Sequence, residues 1–259
     1  MALADEFQAF VFDLDGVLWH GEKPVQGADK AVGRLRSIGK RILFLTNNDS
    51  KSRDEYVAKL ARTSIPAALE EVITSGYVTA EYLKKKHGPS RVYVIGSSGL
   101  KRELALAGHK IVRERPDYVV VGMDEGFTYD KLKKAFAFIR YDGAGFIAMN
   151  GDRTANREDR LVPVAGAIAA SIAYAANRKP YVCGKPGKPM AKMMLGRLGV
   201  PPNEALMVGD SIESDIAFGL KAGLKTALVL SGVTSREDAL ASAIKPDYVL
   251  ESVKALINP

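Results

Sequence analysis

Two aspartates separated by one residue follow an apolar segment near the start of the chain. Asp13 and Asp15 come after residues 9–12, four apolar residues that predict a buried strand. Two carboxylates that leave one hydrophobic strand repel each other and lose hydration, and a bound cation would relieve both costs. Because Mg²⁺ prefers hard oxygen ligands, the pair is a candidate metal site. A plain Asx turn at the end of a strand is the alternative interpretation.

A second pair of acids follows a later apolar segment. Asp210 comes after a predicted strand and Gly209, and Asp215 lies five residues beyond Asp210. Taken separately, a Gly-Asp step is typical of a turn or helix cap, and Asp215 of a charge on a helix face. Ser211 would fit a Gly-Asp-Ser hydrolase only with a histidine base, and the three histidines all lie upstream in ordinary contexts. Cys183 likewise has no evident histidine partner, so both nucleophiles are disfavoured.

Two further strand ends carry groups that suit the oxygens of a phosphoryl group. Thr46 offers a hydroxyl, and Asn47 offers a backbone N–H and a side-chain amide, directly after a predicted strand. Lys185 stands between Gly184 and Pro186, which restrict its backbone more than that of most lysines. The alternatives are a helix N-cap for Thr46 and Asn47 and an ordinary surface charge for Lys185.

The elements that must position these residues alternate along the chain. Short β-branched or apolar runs predict strands at 9–12, 41–45, 91–95, 118–121, 145–149, 181–183, 205–208, 226–230 and 248–250. Amphipathic stretches between them predict helices at 27–38, 51–62, 100–107, 129–140, 189–198 and 213–222, with a short helix at the end of the chain. This alternation predicts an α/β protein with parallel sheets covered on both faces. Binding sites in such sheets lie beyond the carboxyl ends of the strands, where the polar residues above stand.

Bulk composition indicates an ordinary globular protein. The chain has 259 residues, of which 47% are apolar and 26% charged, which excludes a disordered or collagen-like chain. The net charge of +7 is scattered in short groups, so it indicates solvated helix faces or attraction of small anions, not a nucleic-acid-binding tail. Neither a Walker glycine loop nor a complete Gly-x-Gly-x-x-Gly follows a strand, so ATP binding and dinucleotide redox chemistry lack support.

Cysteine content and hydropathy indicate in which cell compartment the protein is expected. The one cysteine allows no internal disulfide and no cysteine cluster for zinc, in keeping with a reducing cytosol. The first ten residues carry two acids and lack the pattern of a signal peptide. The longest weakly polar run, 162–176, is too short to span a bilayer. We therefore expect a cytoplasmic protein with neither a membrane nor a nucleic acid as partner.

The motifs together resemble a known superfamily. In order along the chain they are Asp13-x-Asp15-Gly16-Val17, Thr46-Asn47-Asn48, Lys185, and Gly209-Asp210-x-x-x-x-Asp215. This series resembles the haloacid dehalogenase (HAD) superfamily. Segments such as PDYVVVG at 116–122, GKP at 184–186 and LVLSGVT at 228–234 are similar to its NagD-like, or 4-nitrophenylphosphatase-like (subfamily IIA), branch. The resemblance runs from about Phe10 to Glu237, most of the chain.

The resemblance implies a fold and a domain organisation. It implies a Rossmann-like, doubly wound parallel-sheet core that is interrupted by an inserted α/β cap domain of the C2 type. The core would comprise residues 1–76 and 183–259, and the cap residues 77–182. An insert of this length can form a domain of its own. A homodimer through the cap is a further expectation from the family.

The resemblance also implies roles for the acids. Asp13 is the nucleophile that attacks phosphorus, and Asp15 is the general acid and base. Mg²⁺ is held by Asp13, by the backbone carbonyl of Asp15 and by Asp210. Asp215 orients this set of ligands from outside it.

By the same resemblance Thr46, Asn47 and Lys185 bind the phosphoryl oxygens and stabilise charge on them. The cap closes over the site, excludes water and selects the leaving group. The branch often has Thr-Asn-Pro-Asp at the end of a cap strand, whereas this chain has Met-Asn-Gly-Asp. Asn150 and Asp152 in that segment are candidate cap-side substrate contacts, with a simple turn as the alternative.

The expected activity is hydrolysis of small phosphate monoesters by a magnesium-dependent phosphatase. Substrates of the phosphoglycolate, sugar phosphate, nucleotide or 4-nitrophenyl phosphate type occur among similar proteins. Asp15 favours phosphate esters over the dehalogenase reaction, because a leaving oxygen needs a proton. Two alternatives stay open: a non-catalytic phosphometabolite-binding protein on the same fold, and a phosphotransferase that delivers the phosphoryl group to an acceptor alcohol.

Overall fold

The computed structural model describes residues 2–157 and 160–258. The strands are β1 (Ala9–Phe12), β2 (Trp19–His20), β3 (Lys23–Pro24), β4 (Arg41–Thr46), β5 (Val72–Thr74), β6 (Arg91–Ile95), β7 (Lys110–Ile111), β8 (Tyr118–Val121), β9 (Gly145–Ala148), β10 (Thr154–Arg157), β11 (Arg160–Pro163), β12 (Tyr181–Val182), β13 (Ala205–Gly209), β14 (Lys225–Val229) and β15 (Tyr248–Leu250). The α-helices are α1 (Leu3–Glu6), α2 (Ala28–Ser37), α3 (Arg53–Arg62), α4 (Ser75–His87), α5 (Ser98–Leu106), α6 (Tyr129–Arg140), α7 (Ala165–Ala176), α8 (Lys188–Leu198), α9 (Ala217–Ala222) and α10 (Arg236–Ala241). Short 3₁₀ segments cover Leu69–Glu71, Pro202–Glu204 and Val253–Ile257, and a π-helical turn covers Ile212–Ile216.

These elements form two compact units. The first unit contains the N-terminal residues through Thr46, then Asp54–Ile73, and then the chain from Ala191 onward. The second unit contains Asn47–Arg53 and Thr74–Met190. The proposed core of residues 1–76 and 183–259 and cap of residues 77–182 stay a prediction.

A six-stranded sheet forms the centre of the first unit, in the order β15-β14-β13-β1-β4-β5. β1 pairs in parallel with β13 on one side and with β4 on the other, so Phe12 lies beside both Val208 and Phe44. All four residues of β1 are buried, as expected for a parallel strand that is covered on both faces. The carboxyl ends of β13, β1 and β4 therefore lie together at one edge of the sheet.

Aromatic and aliphatic side chains hold β1 in place. The rings of Phe10 and Phe12 stack with their centroids 6.2 Å apart, and those of Phe12 and Phe44 stack at the same separation. Burial of one such ring stabilises the fold by about 1.5–3 kcal/mol. Helix α2 adds buried residues at helical spacing, namely Ala28, Ala31, Val32 and Leu35. This packing makes the end of β1 a rigid place from which to present a side chain.

The second unit has its own parallel sheet, of five strands in the order β12-β9-β8-β6-β7. Helices α6 and α7 bury alanine and isoleucine side chains in one core cluster with residues of β6, β8 and β9, including Ala135, Ile139, Ala169, Ile172 and Ala176. The strands β10 and β11 form a separate antiparallel hairpin, with Thr154 opposite Pro163. The second unit is thus an α/β body with a hydrophobic core of its own.

Residues Asn47–Arg53 belong to the second unit although they follow β4 of the first. Asp49 is buried, and its carboxylate accepts a hydrogen bond from the backbone N–H of Met123. Arg53 N donates to Glu103 Oε1 at 2.7 Å, and the Arg53 guanidinium carbon lies 3.5 Å from the centroid of the Tyr77 ring. These bonds attach the segment to helices and loops of the second unit.

The structure confirms the α/β class with parallel sheets, and each predicted strand is present within a few residues. The predicted helix at 213–222 is instead a π-helical turn followed by α9. Helix α4 and the hairpin β10–β11 lie in stretches for which the sequence predicted no element. None of the helices within 2–157 and 160–258 combines the length and apolar character needed to cross a bilayer.

Candidate active site

Three aspartates meet at the carboxyl edge of the sheet in the first unit. Asp13 follows β1 and Asp210 follows β13, and Asp13 N donates a 2.9 Å hydrogen bond to Val208 O of the neighbouring strand. Asp215 lies on the π-helical turn. One carboxylate oxygen from each aspartate lies within 4.8 Å of the other two, and all three residues are buried. The structure thus brings together three of the acids that the sequence named.

The chemistry of this donor set fits a hard divalent cation. Three buried carboxylates so close together repel one another and have lost hydration, and a cation offsets both costs. The set contains only oxygen ligands, which suits Mg²⁺ better than a metal that favours nitrogen or sulfur. Asp13 and Asp210 extend from adjacent parallel strands, so the fold itself fixes their spacing.

Asp210 is oriented by the turn that follows β14. Its Oδ2 accepts a 2.8 Å hydrogen bond from Val233 N, and its backbone carbonyl accepts one of 3.2 Å from Thr234 N. Gly16 and Gly232 lie against the carboxylate, and a Cβ at either position would overlap Asp210 Oδ2. Two glycines are therefore required for Asp210 to keep this position.

Asp215 holds the loop that carries Asp210. Its Oδ2 accepts hydrogen bonds from Asp210 N at 3.1 Å and from Ser211 N at 3.2 Å. The π-helical turn begins after Ser211, whose carbonyl accepts hydrogen bonds from both Asp215 N and Ile216 N. The widened turn explains why a regular helix does not begin at Glu213 as predicted. It directs the Asp215 carboxylate back toward the end of β13.

Asp15 belongs to a tight loop after β1. Its Oδ1 accepts a 2.8 Å hydrogen bond from the indole N–H of Trp19, and Gly16 N donates to Trp19 O at 2.7 Å. Gly16 has φ of +82°, a conformation that glycine adopts readily. The hydroxyl of Ser231 donates to Gly16 O at 2.8 Å. The loop is therefore tied to the same turn after β14 that orients Asp210.

Of the residues predicted to bind phosphoryl oxygens, Thr46 belongs to the first unit, and Asn47 and Lys185 belong to the second. Thr46 is the last residue of β4 and of the first unit, and it is buried. Asn47 and Lys185 lie in the second unit, where Lys185 N donates to Asn47 Oδ1 at 2.8 Å. Lys185 is only 1% exposed, so it is not the ordinary surface charge that its residue type suggests.

Asn150 and Asp152, the candidate cap contacts, lie beside Asn47 in the second unit. Asn150 Nδ2 donates to Asn47 O at 2.8 Å, and Asn47 Nδ2 donates to Asp152 Oδ2 at 2.9 Å. Ser75 Oγ donates to the same Asn47 carbonyl at 2.9 Å. Whether either residue contacts a substrate stays a prediction. The hydrogen bonds described above join both side chains to Asn47.

Sequence reasoning missed several residues that hold the acids and amides in place. Trp19 was indistinguishable from a core aromatic residue, and Val233 contributes only its backbone N–H. Ser75 was likewise overlooked, because helix α4 was not predicted. A Ser-Gly-Val step after a strand, as at 231–233, was the one available signal, since glycine and serine mark a turn at a strand end.

The single cysteine is not a nucleophile in the folded protein. Cys183 is completely buried. Burial raises the pKa of the Cys183 thiol to about 12, so the thiolate is scarce at neutral pH. This agrees with the exclusion of a cysteine mechanism from the sequence.

Similarity to known proteins covers nearly the whole chain. A family model described as haloacid dehalogenase-like hydrolase matches residues 10–110, and one described as HAD-hydrolase-like matches residues 182–256. The sugar-phosphatase AraL of Bacillus subtilis is 39% identical over 247 residues, which cover 94% of this chain and 90% of AraL.

Two solved structures superpose closely on the fold. The 4-nitrophenylphosphatase of Thermotoga maritima matches with a TM-score of 0.92 and 34% identity over 99% of this chain and 98% of its own. A glycerol phosphate phosphatase of Mycobacterium tuberculosis, solved in complex with magnesium, matches with a TM-score of 0.89 and 34% identity over 99% of this chain and 78% of its own. The chain therefore belongs to the haloacid dehalogenase-like hydrolases, in the NagD-like branch of phosphoric monoester hydrolases.

Proposed function

We propose that this protein hydrolyses small-molecule phosphate monoesters in a magnesium-dependent reaction that passes through an aspartyl-phosphate on Asp13. The observation that supports the proposal best is the buried cluster of Asp13, Asp210 and Asp215 at the carboxyl edge of a parallel sheet. Asp13 stands at the end of the buried strand β1, where packing restricts its motion. A fixed carboxylate suits in-line attack on phosphorus.

In the first step the Asp13 carboxylate oxygen forms a bond to phosphorus while the bond from phosphorus to the ester oxygen breaks. Asp15 donates a proton to that leaving oxygen. In the second step Asp15 takes a proton from water, which attacks the aspartyl-phosphate and releases inorganic phosphate with Asp13 restored. The Trp19 N–H bond to Asp15 Oδ1 supports this role, because it fixes the orientation of the carboxyl group.

The residues proposed to hold Mg²⁺ are Asp13, the backbone carbonyl of Asp15, and Asp210, with Asp215 outside the ligand set. Bound Mg²⁺ would neutralise part of the charge of the phosphate and of the attacking carboxylate. The hydrogen bonds from Asp210 N and Ser211 N to Asp215 Oδ2 support an orienting role for Asp215. The oxygen-only set and the two glycines beside Asp210 are the features that fit a small divalent cation.

Thr46, Asn47 and Lys185 are proposed to bind the phosphoryl oxygens. The Thr46 hydroxyl, the Asn47 backbone N–H and the Lys185 ammonium group are donors that stabilise the charge gained by those oxygens during transfer. The burial of Lys185 supports this assignment, because a buried lysine is rarely an ordinary surface charge.

The names of similar proteins indicate the substrate class. They include a sugar-phosphatase, phosphoglycolate phosphatases, a 5'-nucleotidase and 4-nitrophenylphosphatases. For this chain we propose a small phosphate monoester of one of these types. A purified-protein screen against a panel of such esters identifies the preferred substrate.

The central test is the substitution Asp13→Asn with 4-nitrophenyl phosphate and Mg²⁺. We expect turnover to fall by about 10³-fold or more, because the amide cannot act as the nucleophile. Far-UV circular dichroism should be unchanged. The matched control is Asp29→Asn, which alters an exposed aspartate on α2 and should retain turnover. Wild-type turnover in the Asp13→Asn variant would falsify the nucleophile assignment.

Two further measurements separate the alternatives. EDTA should abolish turnover and added Mg²⁺ should restore it. A wild-type protein that binds phosphate esters without turnover would instead be a binding protein. Added acceptor alcohol identifies a phosphotransferase, because the product would then be a new phosphate ester in place of inorganic phosphate.

A further inference from the structure

We propose that Asn150 and Asp152 are positioning residues that hold Asn47 and the backbone of Lys185 in the arrangement required for phosphoryl binding. The inference rests on the proposed function, because it assigns phosphoryl binding to Asn47 and Lys185. It gives Asn150 and Asp152 a role other than the leaving-group contacts that the sequence suggested. All four residues lie in the second unit.

The first step is a two-point contact between the Asn47 side chain and the Lys185 backbone. Lys185 N donates to Asn47 Oδ1 at 2.8 Å, and Asn47 Nδ2 donates to Lys185 O at 3.0 Å. Asn47 is 7% exposed and Lys185 1%. A Cβ on Gly184 would stand 2.6 Å from Asn47 Oδ1, so the approach depends on glycine. The side-chain amide of Asn47 therefore fixes the position of the Lys185 backbone.

The second step is the orientation of that amide, which the Lys185 backbone favours and Asp152 reinforces. A side-chain amide can be turned by half a rotation, which exchanges its donor and acceptor. Asn47 Nδ2 donates to Asp152 Oδ2 at 2.9 Å as well as to Lys185 O, which uses both of its protons. The carboxylate accepts and cannot donate, so it admits only the orientation in which Oδ1 faces Lys185 N.

The third step is the backbone of Asn47, which Asn150 holds together with Ser75. Asn150 Nδ2 donates to Asn47 O at 2.8 Å, and Asn150 Oδ1 accepts from Asp152 N at 3.1 Å. Asn150 thus bonds at one end to Asn47 and at the other to Asp152. The side chain is 4% exposed, so loss of either bond would leave a buried polar group unsatisfied.

The loop that carries these two residues is itself fixed. Gly184 N donates to Met149 O at 2.6 Å, and Gly166 N, at the start of α7, donates to Asp152 O at 2.9 Å. A Cβ at Gly184 or Gly166 would overlap the carbonyl that it contacts. The loop is therefore anchored to the end of β9 and the start of α7, and this anchoring fixes the side chains that contact Asn47.

The test uses three substitutions and one control. Asn150→Asp removes the donor to Asn47 O and keeps an acceptor for Asp152 N. Asp152→Ala removes the acceptor for Asn47 Nδ2, whereas Asp152→Asn can turn its amide oxygen toward Asn47 and restore it. Gly151→Ala is the matched control in the same loop, because a Cβ there meets nothing within 4 Å.

Steady-state rates are measured with 4-nitrophenyl phosphate, a sugar phosphate, phosphoglycolate and a nucleoside monophosphate. Asn150→Asp and Asp152→Ala should lower kcat/KM by about 10- to 100-fold and by the same factor for every ester, because the phosphoryl group is common to all. Asp152→Asn should recover most of the loss, and Gly151→Ala should behave as wild type. A loss confined to one ester identifies a leaving-group contact and overturns the proposal.

A second readout does not depend on turnover. The Lys185 backbone amide should exchange with solvent deuterium faster in Asp152→Ala than in wild type, and inorganic phosphate should bind more weakly by calorimetry. If wild type turns over no ester, the proposed function fails, and these two measurements still decide the positioning role. Unchanged exchange and unchanged phosphate affinity in Asp152→Ala overturn the inference while leaving the phosphatase proposal intact.

Discussion

The indole N–H of Trp19 donates a hydrogen bond of 2.8 Å to Oδ1 of Asp15, four residues earlier in the chain. Trp19 is fully buried, and its ring also faces the ammonium group of Lys59, whose Nζ lies 4.3 Å from the ring centroid. A buried aromatic residue therefore fixes one oxygen of the proposed general acid. This hydrogen bond sets the orientation of the carboxyl group that is proposed to exchange protons with the leaving group.

The substitution Trp19→Phe tests this relationship. It removes the N–H donor and keeps an aromatic ring. We expect kcat to fall by about tenfold with poor leaving groups such as sugar phosphates, because a misplaced acid costs about 1.4 kcal/mol of barrier. Rates with 4-nitrophenyl phosphate should change less, since its leaving group needs little protonation. Equal losses for both ester types would show that Trp19 acts through general stability, which urea unfolding of the same variant measures.

The substitution Gly232→Ala should weaken metal binding. A Cβ at this position would overlap Asp210 Oδ2 and crowd Asp210 Cβ, so the carboxylate must move. We expect the Mg²⁺ concentration for half-maximal activity to rise by about tenfold, with partial recovery of kcat at saturating Mg²⁺. Gly33→Ala is the control, because it lies exposed on α2 with open space around it and should leave metal dependence unchanged. An unaltered Mg²⁺ dependence in Gly232→Ala contradicts the assignment of Asp210 as a ligand.

The Cys183 thiol should be inert in the native protein. Burial raises its pKa to about 12 from an ordinary 9.0, so very little of the thiol carries the reactive charge at pH 8. Labelling with 5,5'-dithiobis(2-nitrobenzoic acid) at pH 8 should be slow in buffer and reach one equivalent in guanidinium chloride. Because the folded protein holds this proton more tightly than the unfolded chain, stability should decline as pH rises from about 9 toward 12. Rapid stoichiometric labelling of the native protein would refute this description.

Asp247 should support stability at neutral pH and lose that contribution in acid. Partial burial alone would raise the pKa of Asp247, but hydrogen bonds from Lys225 Nζ and from the N–H and hydroxyl of Thr226 outweigh it and lower the pKa below its ordinary 3.8. We expect Asp247→Ala to lower the free energy of unfolding by about 1–2 kcal/mol at pH 7.

The pH dependence of that difference provides the check. Since the pKa is lowered by folding, the contribution is present above pH 3.8 and disappears as pH falls through the folded-state pKa. The control Lys225→Met removes the ion pair and hydrogen bond that an exposed ammonium group makes to Asp247 Oδ1, and it should cost less than Asp247→Ala because solvent screens an exposed charge. Urea unfolding at pH 7 and pH 3 measures both. A difference between wild type and Asp247→Ala that persists undiminished at pH 3 contradicts the account.

Asp13 and Asp210 could be predicted from the sequence, because each follows a run of apolar residues that itself predicts a buried strand. The four apolar residues before Asp13 predict a buried strand, and a carboxylate after such a strand must lie at the sheet edge. The same argument places Asp210 after β13. The partners that orient these acids were not accessible, because a backbone N–H such as that of Val233 carries no signature in its side chain.

The second unit was harder to predict for a related reason. Helix α4 begins with Ser75 and Gly76, and its buried face mixes small and polar residues with only Val78 and Leu83, so the apolar stripe that marks an amphipathic helix is weak. The hairpin β10–β11 has arginine and threonine residues and little apolar alternation. Burial of small and polar residues against neighbouring elements is decided by tertiary contacts, which a single sequence does not display.

Membership of Asn47–Arg53 in the second unit determines how this enzyme can be rebuilt. A chimera that exchanged only residues 77–182 with a relative would part Asn47 from Asn150 and Asp152, and Asp49 from Met123. The transplanted body would then lack the seven-residue segment that belongs to it, and the recipient would keep its own copy of that segment without its partners. A functional graft must therefore transfer two segments of the chain, Asn47–Arg53 and Thr74–Met190, from the same relative.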